Sequence, residues 1–230
     1  MTPTKLSPLN TATHHLGAKF VEVGGWRFAE SYSSVEAEVA AARQSVALAD
    51  ASAHGKVQVE GVAALDVVRA ASGSAPEAIG SGAKVDGGYV YCLRPDQLFI
   101  LTPPAGEIEA QARLEKAADD RNVFVTVTDL SQGLAEMRLI GPKSRALLSK
   151  LCGLDFDAAA FPNMNARQTS LAKTKQLILR RDFGSLPTFT FAGAQSLSAY
   201  VWEVVMEAGQ EFGIAPIGVA AMRILEEDHE

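Results

Sequence analysis

The stretch GAKVDGGYVYCL, residues 82–93, sets one carboxylate, Asp86, and two glycines, Gly87 and Gly88, directly before an apolar strand. Two chemistries suit that placement. In a turn, the carboxylate accepts the backbone N–H groups of Gly87 and Gly88. At the mouth of a pocket, it comes within hydrogen-bond reach of a ligand amine. A carboxylate facing an apolar channel has its pKa raised, can shuttle a proton and can stabilise an iminium-like positive charge. The glycines either let the backbone approach a ligand or permit positive φ. His54 lies two residues after Ser52, just before a strand, and is either a satisfied imidazole or a ligand contact. His14 and His15 have no neighbour at metal-ligand spacing, so no zinc site is expected. Arg180 and Arg181 end a strand, where arginines are solvated or grip a carboxylate through paired N–H bonds. Tyr91, Phe183 and Phe189 read as core residues. Cys92 and Cys152 are the only cysteines and make no disulfide framework; Cys92 reads as an inert buried thiol. No GxSxG, phosphate loop or GxGxxG between a strand and a helix occurs.

These groups need a scaffold to position them. The 230 residues are 47% hydrophobic, enough for one large domain or two small ones. Charged residues make up 21% and the net charge is −6, so no basic excess awaits nucleic acid. The apolar runs fall far short of the roughly 20 residues of a membrane span. The start MTPTKLSPLNTATHH lacks the basic end and apolar stretch of a secretion signal. A soluble cytoplasmic protein is expected.

Two stretches share one pattern. GKVQVEGVAALDVVRAA (55–71) and AEMRLIGPKSRALLSKL (135–151) each give an alternating strand, a glycine (Gly61, Gly141) and an apolar-periodic helix. A hairpin follows each. One spans 89–103 with its turn at Arg94–Pro95–Asp96, the other 176–193 with its turn at Gly184–Ser185. Helices at 106–120 and 196–209 complete the units. The order strand, helix, hairpin, helix thus recurs, which predicts an α+β fold with antiparallel sheets covered by helices and packed around a central channel. The expected organisation is an N-terminal hairpin and helix over 1–54 wrapping the edge, a first repeat over 55–134 and a second over 135–230. Within the first segment a hairpin turns at Gly24–Gly25 and a helix runs over 33–50, N-capped by Ser33 or Ser34. The acidic end LEEDHE reads as a solvated helix end.

Several strings together resemble the aminomethyltransferase superfamily, which includes the T-protein of the glycine cleavage system. They are Pro8–Leu9, His14 or His15, Leu16–Gly17–Ala18, Gly25–Trp26, Glu38–Arg43 and Asp50–Ser52–Gly55–Lys56. KVDGGYVYCL is similar to the family's Ile-Asp-Asp-Leu-Ile-Val-Tyr strand, and LIGPKSRALLSKL to its Val-Gln-Gly-Pro strand and helix. The resemblance runs from about residue 7 to residue 225. It implies a folate-binding fold with tetrahydrofolate in a channel between the repeated halves. It also implies that Asp86, matching the first Asp of the Asp-Asp pair, sits beside the reacting nitrogen as the catalytic candidate; Gly87 takes the place of the second.

With a folate as ligand, a pterin or aminobenzoyl ring could stack on Tyr91, Phe183 or Phe189, one of Arg180 and Arg181 (Arg180 being the candidate) could hold the glutamyl tail, and His54 is a candidate ligand contact. Departures from the family pattern weaken the site. Thr190 stands where a glutamate grips the pterin. Met222 stands where an arginine is expected, with Arg223 one place later, and Pro103 replaces an asparagine. The chain ends at Glu230, whereas full T-proteins continue into a C-terminal barrel, so the resemblance is to a short member. The expected function is a tetrahydrofolate-binding protein of one-carbon metabolism that transfers a one-carbon unit from an amino or methyl donor. Its activity as an isolated enzyme is left open. The alternative is a non-catalytic accessory subunit of a sarcosine- or dimethylglycine-type flavin oxidase, similar to the gamma subunit of heterotetrameric sarcosine oxidase. Its expected partners are folate or a related small molecule, larger flavin-oxidase subunits or a second copy, with neither nucleic acid nor membrane.

Overall fold

The computed structural model describes residues 5–23 and 25–227. In chain order its elements are β1 (Lys5–Leu6), α1 (Asn10–His15), β2 (Lys19–Val23), β3 (Trp26–Ser31), α2 (Val35–Gln44), β4 (Ala47–Asp50), β5 (His54–Glu60), α3 (Ala64–Ser72), β6 (Gly82–Val85), β7 (Gly88–Arg94), β8 (Gln97–Pro104), α4 (Gly106–Arg121), β9 (Thr126–Asp129), β10 (Leu134–Ile140), α5 (Ser144–Leu151), β11 (Asn165–Leu171), β12 (Thr174–Arg180), β13 (Thr188–Ala194), α6 (Ser198–Gly209), β14 (Ala215–Ile217) and α7 (Val219–Glu227). The fold is α+β. The predicted order appears twice, as β5, α3, β7–β8, α4 and as β10, α5, β12–β13, α6, with one further strand, β6 or β11, ahead of each hairpin.

Local chemistry explains most boundaries. Ser34 caps α2 through its hydroxyl, which accepts the Ala37 N–H at 3.2 Å. The first repeat hairpin turns over Pro95–Asp96, closing on Arg94 opposite Gln97. The second turns over Gly184–Ser185, where Phe183 bridges Leu186. β2 and β3 pair as the expected N-terminal hairpin, with Val23 opposite Trp26. Gly24 of its turn and residues 228–230 of the acidic end lie outside the described residues.

One element differs from the sequence expectation. The helix predicted over 33–50 stops at Gln44, and residues 47–50 form β4. β4 is buried along its whole length, between β10 and β14 in a sheet, so its burial does not alternate along the strand. Its sides still differ. Ala47 and Ala49 face the cluster built from α2 and α7, and Leu48 faces the one built from α5 and α6. An apolar run buried on both faces cannot be told from helix by periodicity.

The chain divides into two compact units. The first comprises Met1–Ser52, Ala135–Asn163 and Thr169–Glu230. Its main sheet has the order β11-β12-β13-β10-β4-β14, of which only residues 169–171 of β11 fall in this unit, and is antiparallel at β10–β4 and β12–β13 but parallel at β4–β14. A small sheet, β1-β3-β2, belongs to the same unit. The second unit comprises Ala53–Leu134 and Met164–Gln168. Its sheet, β6-β7-β8-β5-β9, is antiparallel throughout. Val57, Val59, Val90, Leu98 and Ile100 of that sheet pack under α3 and α4. The helices present Ala64, Val67 and Val68, and Ala110, Leu114, Ala117 and Ala118, at the three- and four-residue spacing of one helical face. Gly73 and Asn122, both left-handed, end the two helices. No helix among the described residues is long and apolar enough to cross a membrane.

Candidate functional site

Asp86 sits at the tip of the β6–β7 hairpin, between Val85 and Gly88, which pair across it. Gly87 has φ +80°, as the third residue of a type II turn requires. A Cβ on Gly88 would lie 2.0 Å from the Leu101 carbonyl oxygen, so that glycine lets β7 close onto β8. The Asp86 side chain is 85% exposed. It does not accept the turn N–H groups. Its Oδ2 accepts from Nη1 of Arg113 on α4 at 2.8 Å, and its backbone carbonyl accepts from Nη2 at 3.1 Å. The Arg113 side chain is mostly buried, and its Nε has no hydrogen-bond partner. Together Val85, Asp86, Gly87, Ser72, Thr102 and Arg113 line a shallow dent under α3 and α4. The carboxylate itself is open to solvent and held by one guanidinium, beside a dent whose lining also includes the apolar Ala71, Ile100, Ala110 and Leu114. Such an arrangement presents a hydrogen-bond acceptor of fixed position. Arg113 gave no local signal in the sequence, because it is 27 residues from the aspartate it holds.

The other residues singled out from the sequence are distributed as follows. Tyr91 is buried in β7 opposite Phe99, its ring against Gly82. His54 opens β5, half-buried, and its carbonyl accepts from the Lys56 ammonium at 2.6 Å. Lys56 itself is fully buried, and its backbone N–H donates to the Ser131 hydroxyl at 2.9 Å. Arg180 is buried; its Nε and Nη2 donate to the two oxygens of Asp182 at 3.0 and 2.6 Å, and Nη1 donates to the Phe161 carbonyl. That fork is fully engaged within the chain. Phe189 packs edge-on against Phe156 at 5.5 Å in the first unit's core, and Phe183 lies under the Arg181 guanidinium at 4.8 Å. Thr190 and Met222 are buried, while Arg223 is exposed and pairs with Glu227 one turn on. Among the described residues no group of three or more His, Cys, Asp or Glu side chains could hold a metal.

The Asp50–Ser52 motif braces the first unit. Asp50 accepts from the Ser7 hydroxyl and from the Ser52 N–H at 3.0 Å, while the Ser52 hydroxyl accepts the Glu136 N–H at 3.1 Å. Near it the Tyr32 hydroxyl is buried with no hydrogen-bond partner. Burial first, then the charges of Asp50 and Glu38, hold that phenol well above its ordinary pKa. A free phenol ionises near 10. The folded state therefore keeps its full stability below about pH 10 and loses it as pH rises beyond, because only the unfolded chain ionises readily there. Tyr32→Phe is expected to change stability by less than about 1 kcal/mol at pH 7, since no hydrogen bond is lost. It should also flatten the loss of melting temperature between pH 9 and 11. An alkaline slope equal to that of the parent would show that another group carries it.

The comparisons agree with this architecture. An aminomethyltransferase of Halothermothrix orenii is 28% identical, the match covering 94% of this chain and 63% of that protein. Sarcosine oxidase subunit alpha of Corynebacterium sp. (strain U-96) is 31% identical over 94% of this chain and 25% of that protein. The chain thus spans less than two thirds of the length of either relative. The crystal structure of the glycine cleavage system aminomethyltransferase T from Bartonella henselae superposes with a TM-score of 0.82 at 21% identity, over 96% of this chain and 62% of that one. A chain of heterotetrameric sarcosine oxidase from Corynebacterium sp. U-96, in complex with pyrrole 2-carboxylate, gives 0.66 at 24% identity, over 79% of this chain and 93% of that one. The profile of the GCVT N-terminal domain matches residues 9–229, and with the shared fold this makes the chain a member of the GCVT N-terminal domain family.

Proposed function

We propose that the chain is an aminomethyltransferase-like module of one-carbon metabolism that serves as a non-catalytic accessory subunit of a larger flavin oxidase. The observation that carries this reading is the loss of charge at the positions where the family resemblance expects ligand contacts. Thr190 and Met222 stand there as buried neutral side chains. Arg180, the candidate for a glutamyl tail, has its guanidinium taken by Asp182 and Phe161. These residues do not fit a gripped pterin. Losing one charged partner and one arginine weakens a ligand by roughly 2–5 kcal/mol, which turns a micromolar site into a millimolar one. The match to nearly the whole length of a chain in a heterotetrameric sarcosine oxidase supports a subunit role for a domain of this size.

Asp86 favours a second reading, a tetrahydrofolate-binding transferase, because its carboxylate is open to a ligand and held in place by Arg113. One titration separates the two. Trp26 and Trp202 are buried reporters, and tetrahydrofolate added to about 100 µM should give no saturable change in their fluorescence. Asp86→Asn should be equally silent and should cost less than about 1 kcal/mol, since the ion pair it breaks is surface-exposed. Micromolar saturation that Asp86→Asn abolishes would establish the transferase reading instead. Co-expression with sarcosine-oxidase-type flavin subunits should give a complex that elutes with flavin absorbance. Separate elution would remove the subunit reading.

A further inference from the structure

Two arginines in the first unit converge on one carboxylate. Glu226, in the last turn of α7, receives Nη1 of Arg138 on its Oε2 at 3.4 Å and Nη2 of Arg181 on its Oε1. Arg138 comes from β10, and its side chain is 5% exposed. Its Nε also meets Glu136 at 3.3 Å, which orients the guanidinium from behind. Arg181 follows β12, stacks over the Phe183 ring, and is 15% exposed. Glu226 is 27% exposed and caps the pair on the solvent side. The rest of α7 is anchored independently, by Ala221, Met222 and Leu225 against Val39, Ile140 and Phe183.

We propose that Arg138 and Arg181 form a binding site for a small carboxylate, and that the chain's own Glu226 closes it as a tethered ligand. Three features point there. The guanidinium groups hold different oxygens of one carboxylate, the arrangement by which arginines recognise this group. Both are fixed by partners other than Glu226, Arg138 by Glu136 and Arg181 by the Phe183 face, so the site keeps its shape when the occupant leaves. The occupant is the most exposed of the three side chains, so its departure opens the site to water. A carboxylate that competes with Glu226 would thereby free the last turn of α7 from the sheet.

The test is chemical rescue. Glu226→Ala should lower the melting temperature, and sodium formate should restore at least half of the loss, saturating on the order of 10 mM. Sodium chloride at matched ionic strength should not do so. Adding Arg181→Met to Glu226→Ala should abolish the recovery. If Glu226→Ala does not fold by itself, its refolding yield in formate against chloride gives the same readout. Equal curves in formate and chloride, in either assay, would overturn the proposal and leave Glu226 a structural ion-pair partner only.

Discussion

Glu38→Ala should destabilise the protein by about 3–5 kcal/mol, a large part of the whole stability of an ordinary domain. Glu38 lies inside α2, where a charged side chain is normally solvated, yet it is 2% exposed. Its Oε1 accepts the backbone N–H groups of Tyr32 at 2.6 Å and Ser33 at 2.8 Å, and its Oε2 accepts that of Gly218 at 2.7 Å. One carboxylate thus ties the strand-to-helix bend after β3 to the segment entering α7. Alanine leaves three donors without it, and each charge-assisted bond contributes roughly 1.5–3 kcal/mol. Glu38→Gln separates charge from shape. The amide oxygen can still accept, but its NH2 faces a donor, so a loss of about 2 kcal/mol is expected. Urea unfolding measures both, read from the midpoint at constant slope. A loss under about 1 kcal/mol for Glu38→Ala would mean that water replaces the carboxylate and that the brace is not structural.

The second large effect contrasts the two glycines that follow the repeated strands. Gly141 has φ +127°, and a Cβ there would lie 2.4 Å from the carbonyl oxygens of both Ala42 and Ser45. Those oxygens are backbone and cannot swing away. Gly141→Ala therefore combines left-handed strain of about 1–3 kcal/mol with a steric clash, and a total above about 4 kcal/mol or failure to fold is expected. Gly61 has φ +140°, but its Cβ would meet the nearest atoms at 3.1–3.3 Å, within a few tenths of an ångström of tolerable contact. Gly61→Ala should cost about 1–2 kcal/mol. Soluble yield and urea midpoints of the two variants provide the check. Equal losses at both positions would show that backbone strain, not crowding by Ala42 and Ser45, sets the cost.

Elements built from local signals were legible in the sequence. Ser34 announces the start of α2, Pro95–Asp96 and Gly184–Ser185 announce their turns, and each repeat's strand and helix show their own periods. The duplicated order followed from these signals, and with it the α+β class. β4 was not legible, because Val46, Ala47, Leu48 and Ala49 are all buried and carry no alternation. Its character as a strand depends on β10 and β14 lying on either side, neighbours that are distant in sequence.

The site divides in the same way. Asp86 and Gly87 stood out because a carboxylate and two glycines before a strand form a contiguous pattern. That Arg113 holds the carboxylate in solvent was decided by the packing of α4 against the sheet. Arg180 was visible as a cation, but Asp182 and the Phe161 carbonyl, which occupy it, are defined by geometry. The Glu226 grip on Arg138 spans 88 positions, and the Ser7–Asp50 contact spans 43. By itself the sequence determined which backbone segments form, because helix and strand periods and turn residues act over a few neighbours. Only the tertiary structure decided which charges meet and which are buried, because an ion pair depends on distance in space and desolvation, and neither leaves a period in the chain.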